Sequence, residues 1–150
     1  MCRLLFILTV SPFFVSCHNC ICVPSAGLRL AFVSFDSAQI DTIIVYKFEK
    51  GSNFSHPLDT ALWDNSKVQF HPTADTLQMG SWFGASLLQS EFDYRVFIPA
   101  VDQNFQITAL YEPEREDKCN DKTGCVNLIT SCDLNGVPAE INNEIVYLKK

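Results

Sequence analysis

The chain has 150 residues, of which 47% are hydrophobic and 12% aromatic, and its formal net charge is −6. This length suffices for one domain with a buried core, and the aromatic content favours strands. The acidic charge argues against nucleic acid as a partner and against electrostatic attraction to anionic lipid, because both interactions depend on Lys and Arg.

The first 16 residues have the composition of an export signal. Arg3 supplies a short positive region, and residues 4–15 form an almost continuous apolar run. A membrane-spanning helix needs about 20 such residues, whereas a run of this length is typical of the hydrophobic part of a signal peptide. We therefore expect residues 1–16 to be removed on export, which leaves a mature chain with a charge near −7.

The sequence Val15-Ser16-Cys17, directly after the apolar run, resembles the lipobox of bacterial lipoproteins. In that family the Cys thiol is diacylated and the signal is cleaved before it, so the resemblance implies that Cys17 is lipidated and that the membrane is a partner. Phe14 departs from the usual Leu, which leaves ordinary secretory cleavage as the alternative. His18 follows the Cys where an Asp would signal inner-membrane retention, so the outer membrane is favoured. Residues 17–27 are expected to form a tether.

The rest of the chain, residues 28–150, is predicted to be a single all-β domain. The segment Ile40–Phe48 is apolar on both faces, which is typical of a central strand, and a four-residue turn suggests a hairpin with the preceding segment. Residues 53–65 are irregular, and residues 81–90 fit neither a helical nor a strand period. The expected strands are Leu28–Phe35, Ile40–Phe48, Lys67–Phe70, Thr76–Met79, Phe92–Ile98, Phe105–Tyr111, Val126–Cys132 and Glu144–Leu148.

The clearest hairpin joins Phe92–Ile98 to Phe105–Tyr111, because both segments alternate and a polar turn separates them. Two sets of side chains are predicted to share the core face: Phe92, Tyr94, Val96 and Ile98, and Phe105, Ile107, Ala109 and Tyr111. Seven or eight short strands without a long helix predict an antiparallel β-sandwich, with a small closed barrel as the alternative. The layout of signal, Cys, tether and sandwich resembles small uncharacterised lipoproteins of Bacteroidetes.

Seven cysteines are present, and five remain after Cys2 leaves with the signal and Cys17 is acylated. In an oxidising compartment these five allow two disulfides and one free thiol. A bond between Cys119 and Cys125 is favoured because it closes a short polar loop. The alternative links Cys132 to Cys20 or Cys22 and fastens the tether to the domain. A metal site that uses His18, Cys20 and Cys22 is disfavoured, since paired C-x-x-C spacing is missing.

No catalytic or cofactor motif occurs in the sequence, so we assign no catalytic residue, no cofactor and no metal. His56 and His71 each precede a proline and are interpreted as loop or strand-end residues. Three aromatic residues in the least regular third of the chain are candidate ligand contacts, although capping of the sandwich is the simpler interpretation. These residues are Trp63, Trp82 and Phe83.

Two functional hypotheses remain. The first is a lipid-anchored, non-catalytic envelope module that binds or supports an envelope protein or a glycan. The second is a small hydrolase or carbohydrate-active protein that uses residues 53–90.

Overall fold

The computed structural model describes residues 19–64, 70–79, 88–118 and 125–150. These residues form thirteen strands and a single 3-10 turn at Pro99–Val101. The strands are β1 (Asn19–Ile21), β2 (Arg29–Val33), β3 (Thr42–Glu49), β4 (Pro57–Asp64), β5 (Phe70–Thr73), β6 (Thr76–Met79), β7 (Phe92–Ile98), β8 (Gln103–Tyr111), β9 (Glu116–Lys118), β10 (Ser131–Leu134), β11 (Val137–Ala139), β12 (Ile141–Asn142) and β13 (Ile145–Lys149).

Two open sheets contain most of the strands. One has six strands in the order β11-β10-β8-β7-β3-β4, and the other has five in the order β12-β13-β2-β6-β5. Strands β1 and β9 form a separate antiparallel pair. Within the described strands, β13 and β2 are the one parallel neighbour pair. The predicted all-β sandwich is confirmed, and the sheets are not joined into a closed barrel.

The core lies between the two sheets because each contributes alternating apolar side chains to one inner face. Phe35 contacts both layers: its ring meets Phe32 of β2 at 5.9 Å and Phe105 of β8 at 6.4 Å between centroids, both edge to face. Fully buried core side chains include Leu28, Leu30, Phe32, Ile43, Ile98, Ile107 and Leu148. Residues 28–150 therefore share one continuous core where they are described.

Strand β3 is central, as its two apolar faces predicted, because it pairs with β4 on one side and β7 on the other. The predicted hairpin between β2 and β3 is wrong. Strand β2 pairs with β13 and β6 in the other sheet, so the turn before Ile40 carries the chain from one layer to the other. A four-residue turn forms such a crossing as readily as a hairpin, and local sequence does not distinguish the two.

The β7–β8 hairpin is confirmed, with Tyr94 opposite Ile107 and Val96 opposite Phe105. The predicted core set of β8 is correct only for its first half. Against β10, the step from Thr108 to Tyr111 spans one residue more on β8, and Ala109 has a φ of +51°. This bulge turns Leu110 into the core and leaves Ala109 and Tyr111 exposed.

Three strands contain a proline, and all three are edge strands: β4 with Pro57, β5 with Pro72 and β11 with Pro138. Proline has no N–H to donate to a neighbouring strand, so the edge is where a sheet tolerates it. Strand β4 occupies most of the segment predicted to be irregular. The predicted strand Val126–Cys132 is displaced, since residues 127–130 form no ladder and β10 begins at Ser131. The predicted strand Glu144–Leu148 is found as β13, which begins and ends one residue later.

Candidate functional site

A half-open cleft of about 540 Å³ lies along one lateral edge of the sandwich, where the edge hairpin β10–β11 of one sheet faces the pair β12–β13 of the other. Its volume falls in the range of pockets that hold small ligands, roughly 300 to 1,000 Å³. Its walls are formed by Phe105, Leu134, Asn135, Val137, Pro138, Ala139, Glu140, Asn142, Tyr147 and Lys149.

The cleft combines an apolar floor with a polar rim. Phe105 is buried at its base, and the half-buried ring of Tyr147 forms part of the wall. Glu140, Asn142 and Lys149 are exposed at the rim, where they supply a carboxylate, an amide and an ammonium group. A large apolar surface with a few converging polar groups is typical of a small-molecule site.

The far end of the cleft is held by the turn between β10 and β11. Asn135 has a φ of +54° and Gly136 a φ of +77°, the left-handed conformations that Asn and Gly tolerate best in a tight turn. The Gln106 N–H donates to Asn135 Oδ1 at 2.8 Å, and the Asn135 N–H donates to the Gln106 carbonyl at 2.8 Å. These paired hydrogen bonds fix the turn on β8, so this end of the cleft is preorganised.

The N-terminal segment is packed on the domain and is not a loose tether. Strand β1 pairs with β9 from Asn19 opposite Lys118 to Ile21 opposite Glu116, so residues 19–21 are hydrogen-bonded to a strand that follows β8 in the chain. Cys22 is bonded to Cys125, with Cα atoms 4.7 Å apart and a sequence separation of 103. The chain from Asn19 to Cys22 is thereby fixed by backbone pairing and by a covalent bond.

Hydrogen bonds continue this attachment beyond the disulfide. The Val23 N–H donates to the Cys125 carbonyl at 3.1 Å, and the Asn127 N–H donates to the Val23 carbonyl at 2.8 Å. The Ser25 N–H donates to Glu112 Oε1 at 2.7 Å, and the Ser25 hydroxyl donates to the Glu144 carboxylate. Glu112 thus helps to hold the N-terminal segment in place.

The predicted bond between Cys119 and Cys125 is wrong, because Cys125 is bonded to Cys22. The alternative correctly expected a bond from the N-terminal segment to the domain, but it named Cys132 as the partner. Cys132 is a free, buried thiol, and its burial, together with the nearby Asp133 carboxylate, raises its pKa to about 11. Cys20 lies on β1, whereas Cys17 and Cys119 are outside the described residues.

The candidate aromatic contacts do not form a surface among the described residues. Trp63 is only 6% exposed and lies in the core, opposite Ile43 on the neighbouring strand. It therefore has little surface with which to contact a ligand. Trp82 and Phe83 lie outside the described residues.

The two described histidines belong to different sheets. His56 immediately precedes β4 and is exposed, whereas His71 lies on β5 of the other sheet. Within the part of the chain that the structure describes, no group of three or more His, Cys, Asp or Glu residues is arranged to hold a metal ion, and His18 falls outside that part.

The edge cleft was not foreseen from the sequence. Its walls come from five strands in two sheets, and the only local signals were the Asn135-Gly136 turn and Pro138, which marks an edge strand. No family model, no curated protein and no solved structure matches the chain. No helix among the described residues has the length and hydropathy of a membrane span.

Proposed function

We propose that this protein is an exported, lipid-anchored module of the cell envelope that binds a ligand in the edge cleft without catalysis. The observation that carries the export proposal is the Cys22–Cys125 disulfide. Such bonds persist in oxidising compartments and are rare in the cytosol. The bond lies only five residues after Cys17, the residue that the lipobox resemblance implies is acylated.

The chemistry of the cleft favours a glycan as the ligand. A sugar presents an apolar ring face, which stacks on an aromatic side chain such as Tyr147, and hydroxyl groups, which pair with carboxylate and amide groups such as Glu140 and Asn142. The cleft holds both kinds of group within one site. Since the rim carries one carboxylate and one ammonium group, a neutral oligosaccharide fits it better than a strongly charged one.

A glycan array with the mature protein, followed by calorimetric titration of the best oligosaccharide, tests this function. Tyr147→Ala is expected to raise the Kd about tenfold, a loss of about 1.4 kcal/mol, because it removes the stacking surface. Tyr46→Ala is the matched control, since Tyr46 is also half-buried but lies on β3 away from the cleft, and its Kd is expected to equal that of the wild type.

Two results would contradict the proposal. Absence of binding to any oligosaccharide on the array would exclude the glycan. Equal weakening by Tyr147→Ala and Tyr46→Ala would show that binding occurs elsewhere on the protein.

A further inference from the structure

Four exposed aliphatic side chains lie beside the disulfide that fastens the N-terminal segment. Ile21 is 66% exposed, Val23 57%, Val126 44% and Leu128 42%. Single exposed apolar residues are ordinary on a protein surface, whereas a contiguous group of them marks a site of contact. We call these four residues the aliphatic face.

The backbone register places the four side chains on one side of the ribbon. Val23 and Val126 are bridged partners in parallel orientation, so their side chains point the same way. Ile21 and Leu128 are each two residues away from these partners, and exposed and buried residues alternate over both 21–23 and 126–128, which returns Ile21 and Leu128 to that side. The intervening residues, Cys22 and Asn127, point inward and are buried, as is Ile129, which follows Leu128. The four aliphatic side chains therefore share one face because exposed and buried residues alternate along both segments.

The partner that covers the aliphatic face is inferred from the position of this face relative to Cys17. Cys17 precedes Asn19, the first residue of β1, by two positions, and two residues of extended chain span at most about 7 Å. From Asn19 onward the chain is held by β9, and at Cys22 by the disulfide. An acyl chain on Cys17 would therefore be attached within two residues of the fixed segment that carries the aliphatic face.

We infer that the aliphatic face lies against the phospholipid bilayer, with its four side chains at the boundary between headgroups and acyl chains. The inference rests on the proposed lipidation of Cys17. Aliphatic side chains on an amphipathic surface enter that boundary by about 5 to 10 Å, which is comparable with the reach of the two linking residues. The acidic charge of the protein points to a zwitterionic lipid surface, since anionic lipids would repel it.

This contact fixes which way the edge cleft faces. Strand β8 runs from Phe105, in the cleft wall, to Tyr111, whose carbonyl accepts the Thr130 N–H next to the aliphatic face. Six residues of strand separate the two ends, a distance of about 20 Å. The bilayer-facing end is thus opposite the Phe105 and Asn135 end of the cleft, which is held outward where an envelope ligand reaches it. The Asn142 end of the cleft lies nearer the bilayer, since its neighbours Ile141 and Asn143 line a second pocket together with Leu128.

Bromolipid quenching of tryptophan fluorescence tests this orientation in the acylated full-length protein, reconstituted into phosphatidylcholine vesicles with and without brominated acyl chains. Val23→Trp reports the aliphatic face, and Val137→Trp is its matched control at the far end of β10–β11, since both valines are more than half exposed. The signals of Trp63 and Trp82 are subtracted with the wild-type protein. Quenching in Val23→Trp is expected to be at least twice that in Val137→Trp.

Flotation with the vesicles and intact mass report the anchor separately from the orientation. Equal quenching in the two variants of a protein that floats and carries lipid would overturn the bilayer contact and leave the anchor intact. A protein that neither floats nor carries lipid would overturn the anchor and the contact that rests on it. Leu128→Trp repeats the measurement at the other end of the face, and a non-reducing mass confirms that the disulfide has formed in each variant.

Discussion

The Cys22–Cys125 disulfide is expected to supply a large part of the folding free energy. It closes a loop across 103 residues of sequence, and a cross-link of that span lowers the entropy of the unfolded chain by the equivalent of about 5 kcal/mol. A domain of this kind is stable by only about 5 to 15 kcal/mol in total. Replacing both residues in Cys22→Ala/Cys125→Ala is therefore expected to leave the protein marginally stable or unfolded at 37 °C.

Urea unfolding of the wild type and the variants measures this loss as a change in the free energy of unfolding at constant m-value. The single variants Cys22→Ala and Cys125→Ala serve as controls, because each breaks the same bond. The double variant should then lose about as much as either single variant, well short of the sum of the two. A loss below about 1 kcal/mol in the double variant would refute this reasoning and show that backbone pairing alone holds the N-terminal segment.

Three further predictions concern single residues. Burial raises the pKa of the Cys132 thiol to about 11, so this thiol should resist alkylation at pH 8 in the native protein and react fully in denaturant. Because the folded protein favours the neutral thiol, the stabilisation from this group should be complete below about pH 9 and lost as the pH rises through 11, which urea unfolding against pH checks. Ala109→Val should lower stability by about 1 to 2 kcal/mol although Val favours strands, because Ala109 has a φ of +51°; an unchanged urea midpoint would contradict the bulge. Trp63→Ala should cost about 3 to 5 kcal/mol and Thr60→Ala, exposed on the same strand, less than about 0.5; equal costs would place Trp63 outside the core.

The strand pattern of this protein could be predicted where alternation is strong and partners are close in sequence. β7 and β8 meet both conditions, and their pairing and facing side chains follow directly from the sequence. The bulge at Ala109 could not be predicted, because it arises from the fit of β8 against β10, a strand about twenty residues further along the chain.

The positions of the prolines indicate which strands lie at sheet edges, and the hydrophobic periodicity does not. Pro57, Pro72 and Pro138 lie in three strands, and the physical requirement that proline avoid a central position would have assigned all three to sheet edges. Instead, the proline and the mixed polarity of residues 57–64 suggested an irregular segment. That segment is exposed along most of its length, so it lacks the apolar face that makes a strand recognisable.

The disulfide and the cleft depend on contacts that local sequence does not contain. Cys119 is closer to Cys125 along the chain, but the bond forms with Cys22 because the N-terminal segment lies beside residues 125–127. In the same way, the cleft exists only because two sheet edges face each other across the sandwich. Composition and periodicity predicted the layers, whereas the lateral alignment of those layers determines the candidate site.

The most direct test of the proposed anchored module is the intact mass of the mature protein extracted from membranes under non-reducing conditions. The expected mass is that of residues 17–150 with acyl chains added and two hydrogens removed for the Cys22–Cys125 bond, and Cys17→Ala should abolish the acylated species. An unacylated protein recovered from the soluble fraction, with its first residue at another position, would contradict the lipid anchor and with it the orientation of the cleft.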